Sequence, residues 1–278
     1  MEISAALVKK LRDITNLPMM ECKKALVQCN GDMEKAIDLL RTNFKNVAVS
    51  KVGRETAEGR IAASVAPDMK SGAIVEMRCE SPPVVKAEAF VQLANDIAKQ
   101  VAAKEPASVE ALLADPLLGV AGKAVGDRIH DAIGLLRENM KVARFKRLSG
   151  GLIGSYCHHD GSIGVLVQVE GTAADAQLLR DVCMHITAKN PMAAKREDVP
   201  AAAVAKEKEI AMAQVSAMGK PPAIAEKIAE GKLKTWFAEN VLVEQPFVKD
   251  ETKTVGELLK AAGLTLKGFV RFKVGEVS

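Results

Sequence analysis

Apolar residues Ile3, Leu7, Leu11 and Ile14 recur at helical spacing around Ser4, a favourable capping residue, and predict a first helix that Thr15-Asn16-Leu17-Pro18 breaks. Cys22, Ala25, Leu26 and Cys29 mark one face of a second helix, ended by Asn30-Gly31. Asp32 stands where it caps a third, with Met33, Ala36, Ile37 and Leu40 turned inward. Three helices within residues 1–44 form only a small bundle, the size of a docking unit. From Asn43 to Arg54 the periodicity lapses, and the partly basic stretch 45–57 reads as a linker.

The period then changes from helical to alternating. Residues 60–65 and 72–79 predict two strands joined by a turn, followed by a helix with Phe90, Leu93, Ala94, Ile97 and Val101 along one side. The plan recurs. Gly151-Leu152-Ile153-Gly154-Ser155 matches Gly59-Arg60-Ile61-Ala62-Ala63, and Gly161-Ser162-Ile163 matches Gly72-Ala73-Ile74. Further on, Asp181-Val182 matches Asp96-Ile97, Ile186 matches Val101, and Ala188-Lys189-Asn190-Pro191 matches Ala103-Lys104-Glu105-Pro106. In this alignment the second hairpin is shorter by three residues, 10 against 13. A duplicated strand–strand–helix unit implies an α+β fold with antiparallel sheet, its halves at 58–140 and 141–199.

Short helices at 109–113 and 125–136 and a strand at 140–148 lie between the copies. Two long helices, 200–217 and 222–241, flank the break Gly219-Lys220-Pro221-Pro222 and predict an antiparallel helical hairpin over 200–241. Its seam is expected to set Val204, Ile210, Met212, Val215 and Met218 against Ile224, Ile228, Leu233, Trp236 and Phe237. A helix at 254–261 and a strand at 267–274 close a segment, 242–278, that completes the core.

Composition narrows the function. A formal charge of +4, from 39 basic and 35 acidic residues, lacks the clustered excess of a phosphate-tracking surface. The basic run from Lys141 to Arg147 is interleaved along a strand and reads as a solvated face, so no nucleic-acid partner is expected. No apolar run approaches a membrane span, and the first ten residues do not read as a secretory signal. Five dispersed cysteines, Cys22, Cys29, Cys79, Cys157 and Cys183, fit reduced thiols in a cytoplasmic protein.

Candidate chemistry is sparse. Cys157-His158-His159-Asp160 is the one cluster, and adjacent strand residues face opposite ways, so it reads as a polar turn and no metal is expected. There is no phosphate-cradling Gly-x-x-x-x-Gly-Lys-Ser/Thr loop, no Gly-x-Ser-x-Gly elbow and no His-Glu-x-x-His helix. No catalytic residue and no cofactor is expected. The pattern is that of an interaction protein with several contact surfaces, not an enzyme.

Leu11-Arg12-Asp13-Ile14-Thr15, Met19-Met20-Glu21-Cys22-Lys23-Lys24-Ala25-Leu26 and Asn30-Gly31-Asp32-Met33-Glu34-Lys35-Ala36-Ile37 together resemble the N-terminal signature of the elongation factor Ts family. The resemblance continues through Arg54-Glu55-Thr56-Ala57-Glu58-Gly59, Arg196-Glu197-Asp198-Val199-Pro200, Gly219-Lys220-Pro221 and Glu244-Gln245-Pro246-Phe247-Val248-Lys249-Asp250, and so spans nearly the whole chain. It implies a ubiquitin-associated-like docking module, a two-part core and a coiled-coil hairpin. It also implies a guanine nucleotide exchange factor that binds elongation factor Tu, GDP-bound and nucleotide-free, and acts by contact alone. Implied contact residues are Leu11, Arg12, Thr15, Met19, Met20 and His158, and the magnesium-dislocating loop equivalent Ser81, Pro82, Pro83 and Val84.

That loop departs from the family pattern. The family's Cys-Glu-Thr-Asp-Phe-Val-Ala-Lys is Cys79-Glu80-Ser81-Pro82-Pro83-Val84-Val85-Lys86 here, with prolines where the acid and the ring stand. Ser81 is expected to cap the following helix, with Pro82 at its first position. The alternative reading is therefore a Tu-binding or Tu-stabilising protein with weakened exchange.

Overall fold

The computed structural model describes residues 3–15, 17–172, 175–216 and 222–276. At the N-terminus α1 (Ala5–Thr15), α2 (Met19–Gln28) and α3 (Met33–Lys51) pack around Val8, Leu11, Cys22, Leu26 and Leu40. The Ser4 hydroxyl accepts from Leu7 N–H at 3.2 Å, and Asp32 accepts from Lys35 N–H at 3.1 Å, so both predicted caps form. Asn30 and Gly31 take positive φ, 53° and 82°, which lets the chain reverse between α2 and α3. Ile14, one of the apolar residues at helical spacing, is 55% exposed.

The expected linker is corrected. Helix α3 runs on to Lys51, and its buried stripe Ala36, Leu40, Phe44, Ala48 continues in steps of four. Its second half packs on the core: Phe44 lies over Gly134 of α7 (Val125–Leu136), and Lys45 pairs with Asp127 at 3.1 Å. Only residues 52–57 are non-helical between module and sheet.

Strands β1 (Glu58–Val65), β2 (Ser71–Cys79) and β3 (Met140–Ser149) form one antiparallel sheet in the order β1-β2-β3. Strands β4 (Leu152–Cys157), β5 (Ile163–Glu170) and β8 (Thr265–Lys273) form a second, in the order β4-β5-β8. The sheets meet face to face over Ile61, Ile74, Ile153, Leu166 and Phe272. On the outer side of the first lie α5 (Glu88–Lys104), α7 and the short α6 (Val109–Ala114); the second is backed by α8 (Ala176–Lys189) and α11 (Val255–Ala261). The result is an α+β fold of antiparallel sheets, built from helix, sheet, sheet and helix layers.

The two halves repeat more closely than the sequence alignment suggests. Val65 pairs with Gly72 and Cys157 with Gly164, so loops 66–71 and 158–163 are equally long. A bulge falls at Glu76/Met77 in one sheet and at Gln168/Val169 in the other. A Cβ on Gly59 would strike the Met77 carbonyl, and one on Gly151 the Val169 carbonyl. Helices α5 and α8 both end on a left-handed residue, Glu105 and Asn190, whose N–H groups bond back to Val101 and Ile186. The hairpin is therefore not where the copies differ in length. The extra residues of the first copy lie after β2, partly in the connection 80–87 with its short helix α4 (Pro82–Lys86) and partly in α5, which has 17 residues against 14 in α8.

Helices α9 (Ala201–Ser216) and α10 (Pro222–Asn240) form the expected pair. Their seam keeps Val204, Met212, Val215, Ile228, Leu233, Trp236 and Phe237 of the expected set and adds alanines to it. Ala211, Val215, Ala225 and Ala229 are buried between them, whereas Ile210 and Ile224 are exposed; Met218 lies outside the described residues. Alanine lets the backbones approach more closely than a branched side chain would. At the base, Arg196 stands over Phe237 at 4.5 Å and pairs with Glu244. A small hairpin that the periodicity did not predict, β6 (Pro246–Phe247) and β7 (Asp250–Thr254), precedes α11.

Candidate partner-binding site

Cys79 ends β2 in the core, and Glu80 and Ser81 then carry the chain out to α4, where Pro82 and Pro83 are exposed and Val84 is buried. Proline suits the first turn because its fixed φ is helical and its missing N–H has no partner there anyway. Ser81 occupies the N-cap position with extended backbone (φ −130°, ψ 152°), but its side chain caps nothing. This corrects the expected role. Pro82 and Pro83 offer the hydroxyl no N–H, and Ser81 turns instead to Glu138. Its N–H donates to Glu138 Oε2 at 3.0 Å and its hydroxyl donates to Oε1.

Beside this bond Asn139 N–H donates to Glu80 Oε1 at 2.5 Å, and Asn139 Nδ2 to the Arg54 carbonyl at 2.8 Å. Arg54 reaches back to Glu80 Oε2 at 3.5 Å. The Cys79 thiol donates to the Ser81 carbonyl at 3.6 Å, and burial, reinforced by the charge of Glu138, pushes its pKa up to about 12. The thiol stays protonated and serves as a donor, not a nucleophile. Two exposed prolines thus project from a base held by hydrogen bonds on three sides.

On the N-terminal module, Arg12, Met19 and Met20 are exposed together with Ile14 and Val27. Met20, Lys23, Lys24, Val27 and Gln28 line a shallow groove along α2. The remaining two module residues point elsewhere. Leu11 is fully buried in the bundle and supports that surface from beneath. Thr15 is half-buried, its hydroxyl donating to the Leu11 carbonyl at 2.7 Å and standing 3.7 Å from Cys22 Sγ. His158 is on the turn after β4, half-buried, with Nδ1 3.2 Å from the Tyr156 hydroxyl and its ring against His159.

The loop, the module surface and His158 therefore lie on different elements. The module and the loop are joined by a piece that sequence spacing did not single out, the turn Arg137-Glu138-Asn139. Arg137 stands 6.0 Å from the Phe44 ring and 3.9 Å from Glu21, both on the module, while Glu138 and Asn139 hold the loop. Ser81 and Glu138 are far apart in sequence, so no local pattern links them. Among the described residues no group of three or more His, Cys, Asp or Glu side chains is arranged to hold a metal. No described helix is long and apolar enough to cross a membrane.

Comparison with known proteins gives this arrangement a context. The family model described as Elongation factor TS matches residues 83–276. A protein of Methylococcus capsulatus named elongation factor Ts is 46% identical over 278 residues, covering 99% of this chain and 93% of that protein. The chain belongs to the elongation factor Ts family. Proteins of that name from Thioalkalivibrio sulfidiphilus and Pasteurella multocida are each 44% identical, again across 99% of this chain and 93% of theirs. Membership makes this chain a translation elongation factor. The family-model match opens at Pro83, inside α4, while the elongation factor Ts relatives align through the N-terminal module as well.

Proposed function

We propose that this chain is a guanine nucleotide exchange factor for elongation factor Tu, which it loosens from GDP by contact and without a covalent step. The observation that carries the reading is family membership across essentially the whole chain. The exposed apolar residues Met19 and Met20, the projecting α4 and the α9–α10 hairpin are surfaces suited to a protein partner. Linkage then fixes the thermodynamics. If the factor weakens GDP binding to Tu, GDP weakens the factor's hold on Tu by the same ratio, and the nucleotide-free pair is the intermediate. Only contacts that improve when the pocket opens drive the exchange.

The test is release of a fluorescent GDP analogue from the cognate Tu. Catalytic amounts of the factor should speed it, and no acceleration together with no binding to nucleotide-free Tu refutes the reading. Pro82-Pro83 favours a second reading, a Tu-binding protein with weakened exchange. Losing a carboxylate and an aromatic wedge costs on the order of 2 to 4 kcal/mol, roughly 30- to 1000-fold in rate. Under that reading a Pro82→Asp, Pro83→Phe variant releases GDP faster than the natural chain. No gain means that the wedge is not what limits this factor.

A further inference from the structure

We propose that Glu138 is a positioning residue for exchange: it takes both hydrogen-bond donors of Ser81 and so sets the exposed Pro82-Pro83 turn at a fixed place relative to the N-terminal module. The proposal deepens the exchange reading and rests on it.

The argument begins with the prolines. A helix opening on two prolines has no N–H in its first two positions, so the usual means of fixing a first turn, a side-chain cap, is largely lost. The Ser81 hydroxyl accepts no cap bond. One carboxylate replaces the cap from outside the helix, with Oε2 accepting the Ser81 N–H at 3.0 Å and Oε1 accepting its hydroxyl. A charged acceptor holding two donors of one residue fixes direction as well as distance. Glu138 itself sits on a short turn anchored at both ends. Arg137 before it takes a positive φ of 61° and touches Phe44 and Glu21 of the module; Asn139 after it is buried and spans Glu80 and the Arg54 carbonyl. Three consecutive residues therefore tie the loop to the module. If both touch the partner, their separation has to match two sites on it at once, and rigidity at Glu138 turns binding into strain on the nucleotide pocket.

Two measurements on the full chain test this. The first needs no partner. Amide hydrogen exchange of Ser81 should quicken about tenfold or more in Glu138→Ala, the scale of one lost charge-assisted hydrogen bond, with the α2 amides unchanged. Unchanged protection of the Ser81 amide overturns the proposal whether or not the chain acts on Tu. The second measures GDP release from Tu against factor concentration. Glu138→Ala should lower the maximal rate about tenfold and move the half-saturating concentration less than about threefold. Glu138→Gln, which keeps an acceptor, should recover part of the rate. Ser81→Ala guards against a Glu138 variant that fails to fold. It should also slow release, and the double variant should be no slower than Glu138→Ala alone. A normal maximal rate in folded variants, or losses that simply add, overturns the proposal. Should the natural chain itself leave GDP release unchanged, the exchange reading falls, and the hydrogen-exchange result still decides what Glu138 holds.

Discussion

Glu76 shows how one side chain can join the first sheet to the residues just beyond β8. It points from β2 toward the second sheet and is 2% exposed. It accepts from Arg78 at 2.9 Å, Arg144 Nε at 2.7 Å and Gly275 N–H at 2.9 Å. Burial alone would raise its pKa, but the Gly275, Arg78 and Arg144 bonds more than offset that and hold it below the ordinary 4.5. Its contribution is therefore complete above about pH 4.5 and is lost as pH falls through the lower folded value. Glu76→Gln should cost about 3 to 5 kcal/mol in urea unfolding at pH 7, a gap that narrows in acid. Cysteines behave differently by position. Burial pushes the Cys157 thiol up to about 11 and raises that of Cys183, as it does Cys79. Iodoacetamide at pH 8 should accordingly modify half-buried Cys29 before any of these three, as read by peptide mass mapping. None of this was visible in the sequence, where Glu76 is one charge in a strand and the cysteines are five scattered letters.

At the scale of elements, the informative case is α3. Its apolar stripe continues from Ala36 through Ala48, yet the basic residues from Lys45 to Lys51 make the stretch look like a linker. The partner for Phe44 and Ala48 is α7 and its surroundings, more than 80 residues later, so the second half of the stripe has no local explanation. Gly134 is what lets the two helices meet. A Cβ there falls within the Phe44 ring, so Gly134→Ala should destabilise by about 1 to 3 kcal/mol even though alanine is the better helix former. Gly231 in α10 is the contrast. A Cβ there meets nothing within 4 Å, and Gly231→Ala should stabilise by about 0.5 to 1 kcal/mol in the same denaturation assay. The expected hairpin seam held for Val204, Met212, Val215, Ile228, Leu233, Trp236 and Phe237, and among the described residues it missed at Ile210 and Ile224. Periodicity ranks isoleucine above alanine, whereas a close helix pair selects small residues.

For the whole molecule, the C-terminal segment closes both halves. Strand β8 completes the second sheet, Gly275 reaches Glu76, and residues 245–248 enclose His185 of α8. His185 is fully buried, with Nε2 2.9 Å from Gln245 Oε1 and Nδ1 accepting from Val248 N–H at 3.3 Å. Nδ1 as acceptor makes the ring neutral, with its proton on Nε2. Burial lowers its pKa below 6.5, against an opposing hydrogen bond to Gln245 and with the help of Lys189. The unfolded chain therefore takes up a proton that the folded one refuses. Stability should be complete above about pH 6.5 and decline as pH falls below it, and a His185→Gln variant should lose that part of the dependence in a series of melting curves.

The sequence alone determined the order and type of nearly every element, the α+β class, the duplication and the family, because each rests on local periodicity, caps or motif residues. It also located the departure at Pro82-Pro83. The tertiary structure decided where the copies differ in length, how α3 joins module to core, and that Glu138 rather than a cap holds Ser81. Those outcomes depend on pairs of groups distant in the chain, whose meeting is fixed by packing and hydrogen-bond satisfaction; even where a periodic stripe is present, as in α3, the order of residues does not name its partner.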